Sequence, residues 1–221
     1  MIAAFWYLWE TNHWYDLAAE QLFTLSRAGF PGKIRLHLGG SSEWAAREVQ
    51  ALAGACGLQL EVAWDRRGRD EYPAVSALKA FCDQTPGDHK VLYFHGKNIT
   101  LKGVCGTKWR WAMTQAVIVN WRNRLDDLRT HDVCGFCLKD DPSYRWIFAG
   151  NFWWATSRWI RSLPTPLPDQ DRFHYEQWLL SRDGFKAKSL VSEGGSPHLE
   201  EFYVRHGNPQ DRFLRFMAGK D

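Results

Sequence analysis

The chain has 221 residues, 45% hydrophobic and 24% charged, a balance that excludes a disordered or fibrous protein and is long enough for one core without disulfide staples. Its net charge of +3, from 28 basic and 25 acidic side chains, is too mild to point to nucleic acid by charge alone. The outlying figure is 13 tryptophans, more than a core of this size needs, and indole is favoured where a surface must be apolar and still donate a hydrogen bond.

Residues 2–9 form an apolar run of strand length that no basic residue precedes and Glu10 ends, so it suits a buried strand rather than a signal segment or a membrane span. Asn12 then offers a cap for a helix with Trp14, Ala18, Leu22 and Leu25 on one face, closed by Gly29. Residues 33–38 make a second strand. A glycine-serine turn at 39–42 leads to a second helix with Ala45, Val49, Leu52, Ala53 and Cys56 on one face, closed by Gly57. A third strand spans 58–64, and a charged loop at 65–71 brings Pro73 to the first turn of a helix carrying Ala74, Leu78, Phe81 and Cys82. Residues 90–95 are a fourth strand. Strands apolar throughout, alternating with helices, argue an α/β fold: one domain with a Rossmann-type, mostly parallel sheet between helices, whose ligands bind at strand carboxyl ends.

The second half reads as a loop at 98–107, a long helix over 109–128, a strand over 132–138 and a polar turn at 139–144. The box at 150–164 follows: Gly150 and Asn151 lead into Phe152, Trp153 and Trp154, and a helix then opens. Indole faces suit the C–H side of a sugar ring and an amide its hydroxyls, although packing alone also explains the aromatics. Pro164, Pro166 and Pro168 form a stiff connector to a short helix with Glu176 and Trp178, and the tail from Gly194 is charged and glycine-rich. The expected halves are a nucleotide-binding part at 1–97 and an acceptor and catalytic part at 98–193, with a tail at 194–221.

Several residues carry candidate chemistry. His95 and Lys97 end the fourth strand with Gly96 between them, and with Lys102 they could neutralise a diphosphate; a solvated loop is the alternative. Asp70 and Glu71 precede a helix, as helix-start charges or as contacts to a ribose or base. Glu176 sits among aromatics, whose desolvation disfavours its charged form and tunes a carboxylate toward a general base; a plain surface glutamate is the alternative. Cys134 and Cys137 have the spacing of a redox pair but fall in an apolar strand-like segment rather than at a helix start. Five cysteines, mostly in apolar runs, suit reduced thiols and a cytoplasmic protein. Asp140 and Asp141 are a weak metal pair that a turn before Pro142 explains as well.

Four pieces occur in order: Tyr-Phe-His-Gly-Lys at 93–97, Lys-Trp-Arg-Trp-Ala-Met at 108–113, Phe-Ala-Gly-Asn-Phe-Trp-Trp-Ala at 148–155 and Arg-Phe-His-Tyr-Glu-Gln-Trp at 172–178. Over roughly residues 2–180 the chain resembles a family of bacterial and viral glycosyltransferases with the GT-A fold, marked by a His-Thr-Lys-Gly element, a Trp-Arg pair, a Gly-Asn-Phe-Trp-Trp-Ala box and a later Glu-x-Trp. Gly96 and Asn98 depart from that pattern. The resemblance implies a nucleotide-sugar donor, UDP-linked, held by Tyr7, Glu71, His95, Lys97 and Arg110. It implies sugar contacts at Asn151, Trp153 and Trp154, and Glu176 as the base that deprotonates an acceptor hydroxyl. GT-A enzymes usually end the fourth strand in a metal-binding Asp-x-Asp; here His95 and Lys97 imply that fixed positive charge replaces the metal, so no cofactor is expected. The acceptor is a glycan or hydroxymethylated DNA in a bacterial or phage setting, the latter if Arg110, Arg122, Arg124, Arg158 and Arg161 form a phosphate-tracking stripe. A non-catalytic carbohydrate binder or a thiol oxidoreductase are readings from other classes.

Overall fold

The computed structural model describes residues 1–10, 13–40, 42–65, 70–96, 104–141 and 145–191. Strands and helices alternate through β1 (Ile2–Trp9), α1 (Trp14–Arg27), β2 (Lys33–Gly39), α2 (Glu43–Ala55), β3 (Leu60–Asp65), α3 (Tyr72–Gln84) and β4 (Lys90–His95). The chain continues through α4 (Val104–Met113), a π-helical turn (Thr114–Val119), α5 (Trp121–Asp127), β5 (Val133–Gly135), β6 (Leu138–Asp141) and β7 (Arg145–Phe148). It closes with β8 (Trp153–Thr156), α6 (Ser157–Ser162), α7 (Arg172–Trp178) and β9 (Ala187–Ser189). Among the described residues seven strands form one sheet in the order β3-β2-β1-β4-β8-β5-β9. β1, β2, β3 and β4 are mutually parallel, and β8 enters antiparallel between β4 and β5. The mostly parallel α/β architecture expected from the alternation is the one observed.

The continuous apolarity of β1 has a simple cause: helices cover both of its faces. Ala4, Trp6 and Leu8 pack with α1, α2 and the π-helical segment, whereas Ala3, Phe5 and Tyr7 pack with α3, α6 and α7. β3 differs from that expectation. It begins at Leu60 rather than 58 and alternates in burial because it is an edge strand, its outer Glu61 paired with Arg35 at 3.2 Å and with Lys33.

The helix expected over 109–128 is divided. At Asn120 the backbone N–H reaches back five residues to the Gln115 carbonyl, which the Asn120 amide also contacts at 2.8 Å. The Trp154 indole N–H donates to the Val117 carbonyl within that widened turn. The strand expected over 132–138 splits as well: β5 joins the main sheet, while β6 pairs with β7 in a separate antiparallel ribbon that the polar-turn reading of 139–144 missed. The cap of α1 is His13 without a side-chain bond, and Asn12 lies outside the described residues. So do Lys97, Asn98, Lys102 and the tail from residue 192.

Candidate functional site

The register of the sheet sets one row of side chains at its carboxyl end: Tyr7 of β1 stands opposite His37 of β2 on one side and His95 of β4 on the other. This row faces the layer that holds α3. At the start of α3 the two acidic residues divide their tasks. Asp70 accepts the Tyr72 backbone N–H at 2.9 Å, the ordinary helix-start duty. Glu71, at the cap position, makes no cap bond and turns its carboxylate inward, where it is 8% exposed.

That carboxylate is held by donors from two other elements. The Tyr93 hydroxyl of β4 donates to Glu71 Oε2 at 2.5 Å, and the Asn151 amide nitrogen donates to the same oxygen at 2.6 Å. Asn151 Oδ1 in turn accepts the Trp153 indole N–H at 2.7 Å. Indole can only donate, so the amide orientation is fixed: oxygen toward Trp153, nitrogen toward Glu71. A carboxyl oxygen that accepts two donors is suited to the ionised form. His95 completes the layer. Its Nε2–H donates to the Gly150 carbonyl at 2.8 Å, which leaves Nδ1 3.7 Å from Glu71 Oε1. On the other side, Gln21 of α1 donates to the His95 carbonyl at 3.1 Å.

The Gly-Asn turn explains the box that follows it. Gly150 has φ +86° and Asn151 φ +55°, two successive left-handed residues. A Cβ on Gly150 would lie 2.2 Å from Met113 Sδ, so glycine is required there by both conformation and space. Asparagine tolerates the second position and supplies the amide. From that turn β8 sends Trp153 to the α3 layer, stacked on Tyr93 at 4.9 Å, and Trp154 to the opposite layer.

Of the two readings of the aromatics, a sugar-facing wall or packing, the observed burial favours packing. Phe152, Trp153 and Trp154 are at most 1% exposed, and Asn151, also 1% exposed, has both ends of its amide engaged within the protein. These residues build the site from behind. Arg110 is likewise committed, as a bidentate partner of Glu20 on α1 at 2.8–3.3 Å. The arginine stripe does not form: Arg110, Arg122 and Arg124 belong to the helices on one face of the sheet, and Arg158 and Arg161 to α6 on the other. Arg161 donates to the Cys82, Thr85 and Gly87 carbonyls, which is a structural task.

Glu176 is where the sequence suggested a carboxylate, on α7, buried to 8% exposure among Tyr175 and Trp178. It belongs to the Glu71 neighbourhood. Burial, then the charge and hydrogen bond of Glu71, and at longer range Tyr7 and the Glu176 carboxylate, push the Tyr93 hydroxyl well above its ordinary range. Tyr7 is raised too, by burial and then by Glu71, Asp70 and Asp65. Cys134 and Cys137 are buried free thiols; burial drives Cys134 up to about 12, the reverse of what a reactive thiol needs. Among the described residues no group of three or more His, Cys, Asp or Glu side chains could hold a metal ion.

Beside this layer a small groove of about 250 Å³ lies at the carboxyl ends of β2 and β3 next to Tyr7 of β1, lined by Tyr7, His37, Trp64, Asp65 and Pro73 among others. Burial lowers the His37 pKa, so at neutral pH it presents an uncharged ring to the groove. Sequence reading singled out neither His37 nor Tyr93, whereas Asp65 follows a strand end where ligands were expected. His37 was visible as the third member of an alternating Lys33, Arg35, His37 row, whereas Tyr93 inside Val-Leu-Tyr-Phe carries no signal that separates it from core.

The sequence profile of a family described as Domain of unknown function (DUF8361) matches residues 10–178, and the chain belongs to that family. No curated protein matches the chain. Among solved structures it is similar to HddC from Yersinia pseudotuberculosis, at 11% identity and a TM-score of 0.53 over 93% of this chain and 97% of that one. It is also similar to a protein of Bacillus anthracis assigned as a glucose-1-phosphate thymidylyltransferase and solved with sucrose, at 9% identity and a TM-score of 0.50 over 93% and 95%. At these identities the likeness establishes the fold, a Rossmann-like α/β sheet.

Proposed function

We propose that the chain transfers a sugar from a nucleotide-sugar donor, UDP-linked, to a hydroxyl acceptor. The observation that carries this reading is the groove at the carboxyl ends of β2 and β3 next to Tyr7 of β1, which opens beside a layer where Glu71, His95, Tyr93 and Asn151 hold one another. Open α/β sheets bind ligands at that edge. The groove takes the base, with Tyr7 and Asp65 as polar contacts. Lys97 meets the diphosphate, and its positive charge serves where related chemistry uses a metal. His95, bonded to the Gly150 carbonyl and facing Glu71 at 3.7 Å, fixes the end of β4. Glu176 accepts the proton of the acceptor hydroxyl as it attacks the anomeric carbon.

The likeness to a protein assigned as a sugar nucleotidyltransferase favours a second reading on the same groove: a sugar phosphate attacks a nucleoside triphosphate and pyrophosphate departs. One experiment separates the two. Purified protein is offered a set of nucleotide sugars, and separately nucleoside triphosphates with sugar 1-phosphates, each with and without chelator. Release of nucleoside diphosphate from a nucleotide sugar, insensitive to chelator and lost in Glu176→Gln while donor binding persists, is the expected result. Pyrophosphate release would move the assignment to nucleotidyl transfer. Failure to bind any nucleotide sugar would sink the proposal, and inhibition by chelator would sink its metal-free form.

A further inference from the structure

In a parallel sheet each helix begins where a strand ends, so the first turns of α1 and α2 lie at the same carboxyl edge as the groove. Glu10 at the end of β1 ties the two together, accepting the Ser42 backbone N–H at 2.9 Å. Three aromatic rings meet on these turns. Trp14 is buried, and against it stand Tyr15 at 5.5 Å and Trp44 at 6.0 Å, each ring within a few degrees of perpendicular. Tyr15 is 42% exposed and Trp44 54% exposed. Edge-to-face contact with a buried ring holds both outer rings in place without covering them.

The surroundings discriminate among ligands. Among the described residues, Asp16 and Glu43, next in sequence to the two outer rings, are exposed, Asp16 lies 3.8 Å from His13, and Arg47 and Glu48 offset one another. A local excess of carboxylate disfavours phosphates, nucleic acid and anionic lipid. Two rings are also far too small for a stable protein interface, which needs about 800 Å² per partner. What fits is a neutral pyranose chain: its C–H faces lie on the rings, and its hydroxyls donate to the carboxylates and meet the Tyr15 hydroxyl and the Trp44 N–H.

We infer that Trp44 and Tyr15 form a stacking platform for a neutral oligosaccharide, which approaches the carboxyl edge of the sheet as the acceptor chain. Its acceptor role rests on the glycosyl-transfer reading; its sugar binding does not. The test measures binding of neutral tetrasaccharides of glucose, galactose, mannose and N-acetylglucosamine by tryptophan fluorescence and ligand-observed NMR. Wild type, Trp44→Ala and Tyr15→Ala are compared, with donor hydrolysis followed in parallel. The expected result is binding of at least one tetrasaccharide, weakened about ten-fold or more by Trp44→Ala, with donor hydrolysis unchanged in both variants. Undetectable binding of all four sugars overturns the inference. So does binding that survives Trp44→Ala, or self-association of the wild type that Trp44→Ala abolishes, which would make a second copy the occupant. Donor hydrolysis without glycan binding removes the platform alone; glycan binding without donor hydrolysis removes the transferase reading alone.

Discussion

Asn151 joins the Trp153 indole to the Glu71 carboxylate by hydrogen bonds at both ends of its amide, and does so from a left-handed backbone that few side chains accept. The identity of the amide is therefore testable by charge. In Asn151→Asp the Trp153 N–H keeps its acceptor, but a second carboxylate oxygen takes the place of the nitrogen that stood 2.6 Å from Glu71 Oε2. Two such oxygens cannot both stay ionised, so the pair must hold a proton in the folded state. The folded state then binds more protons than the unfolded chain, and stability is present at low pH and lost as pH rises. Urea unfolding should find Asn151→Asp destabilised by about 2–4 kcal/mol at neutral pH and partly restored near pH 5. Asn151→Leu, which removes the amide without adding charge, should be destabilised to a similar extent at both. Equal pH dependence in the two variants would mean that Glu71 is already protonated in the native protein.

At the scale of elements, β8 is the strand that joins the two halves of the chain. It pairs with β4 on one side and β5 on the other, and its tryptophans reach opposite layers. Trp154 does more than fill space, because its N–H takes the Val117 carbonyl in the π-helical turn. Trp154→Phe should cost about 1–3 kcal/mol from that carbonyl and the smaller ring. The added signature is faster amide exchange confined to residues 114–121, and uniform acceleration across the domain would show that the indole merely packs. The first half of this architecture was legible because it is repetitive: four apolar strands, each interrupted by one helical period, admit few arrangements. Its second half was not. A π-helical turn keeps apolar residues at near-helical spacing from Met113 to Trp121 and so hides the break, and three-residue strands such as β5 are too short to show a period. The box at 150–155 was recognised as special, with a sugar-facing wall and plain packing both open, and the structure packs all three aromatics. Aromatics that line a pocket and aromatics that brace its back wall have the same sequence, and only the partners of Asn151 distinguish them.

Across the whole molecule the polar groups of the α3 layer and the buried thiols share one consequence, a bias toward proton-retaining forms. Burial pushes Cys82 and Cys134 from 9.0 up to about 12, and Tyr7 and Tyr93 are raised as well. Each of these groups has a folded pKa above its unfolded value. Below about pH 9 both states are protonated, and the contribution to stability is complete. Above it the unfolded chain releases protons that the folded chain keeps, so the unfolded state gains and stability falls as pH rises. The slope should be about 1.4 kcal/mol per pH unit for each thiol between its two values, with the tyrosines joining above about pH 10. Denaturant midpoints at about pH 8, 9.5 and 10.5 should therefore decline progressively more steeply. Cys134→Ala should flatten the profile between the first two points by about half, because it removes one of the two thiols whose desolvation is largest. A flat profile in the wild type would show that the α3 layer and the Cys134 site admit water to these groups, and the same opening would expose Glu71 and Glu176 to solvent. The part of the alkaline limb that survives in Cys134→Ala comes from Cys82, Tyr7 and Tyr93, and it reports how dry the α3 layer is.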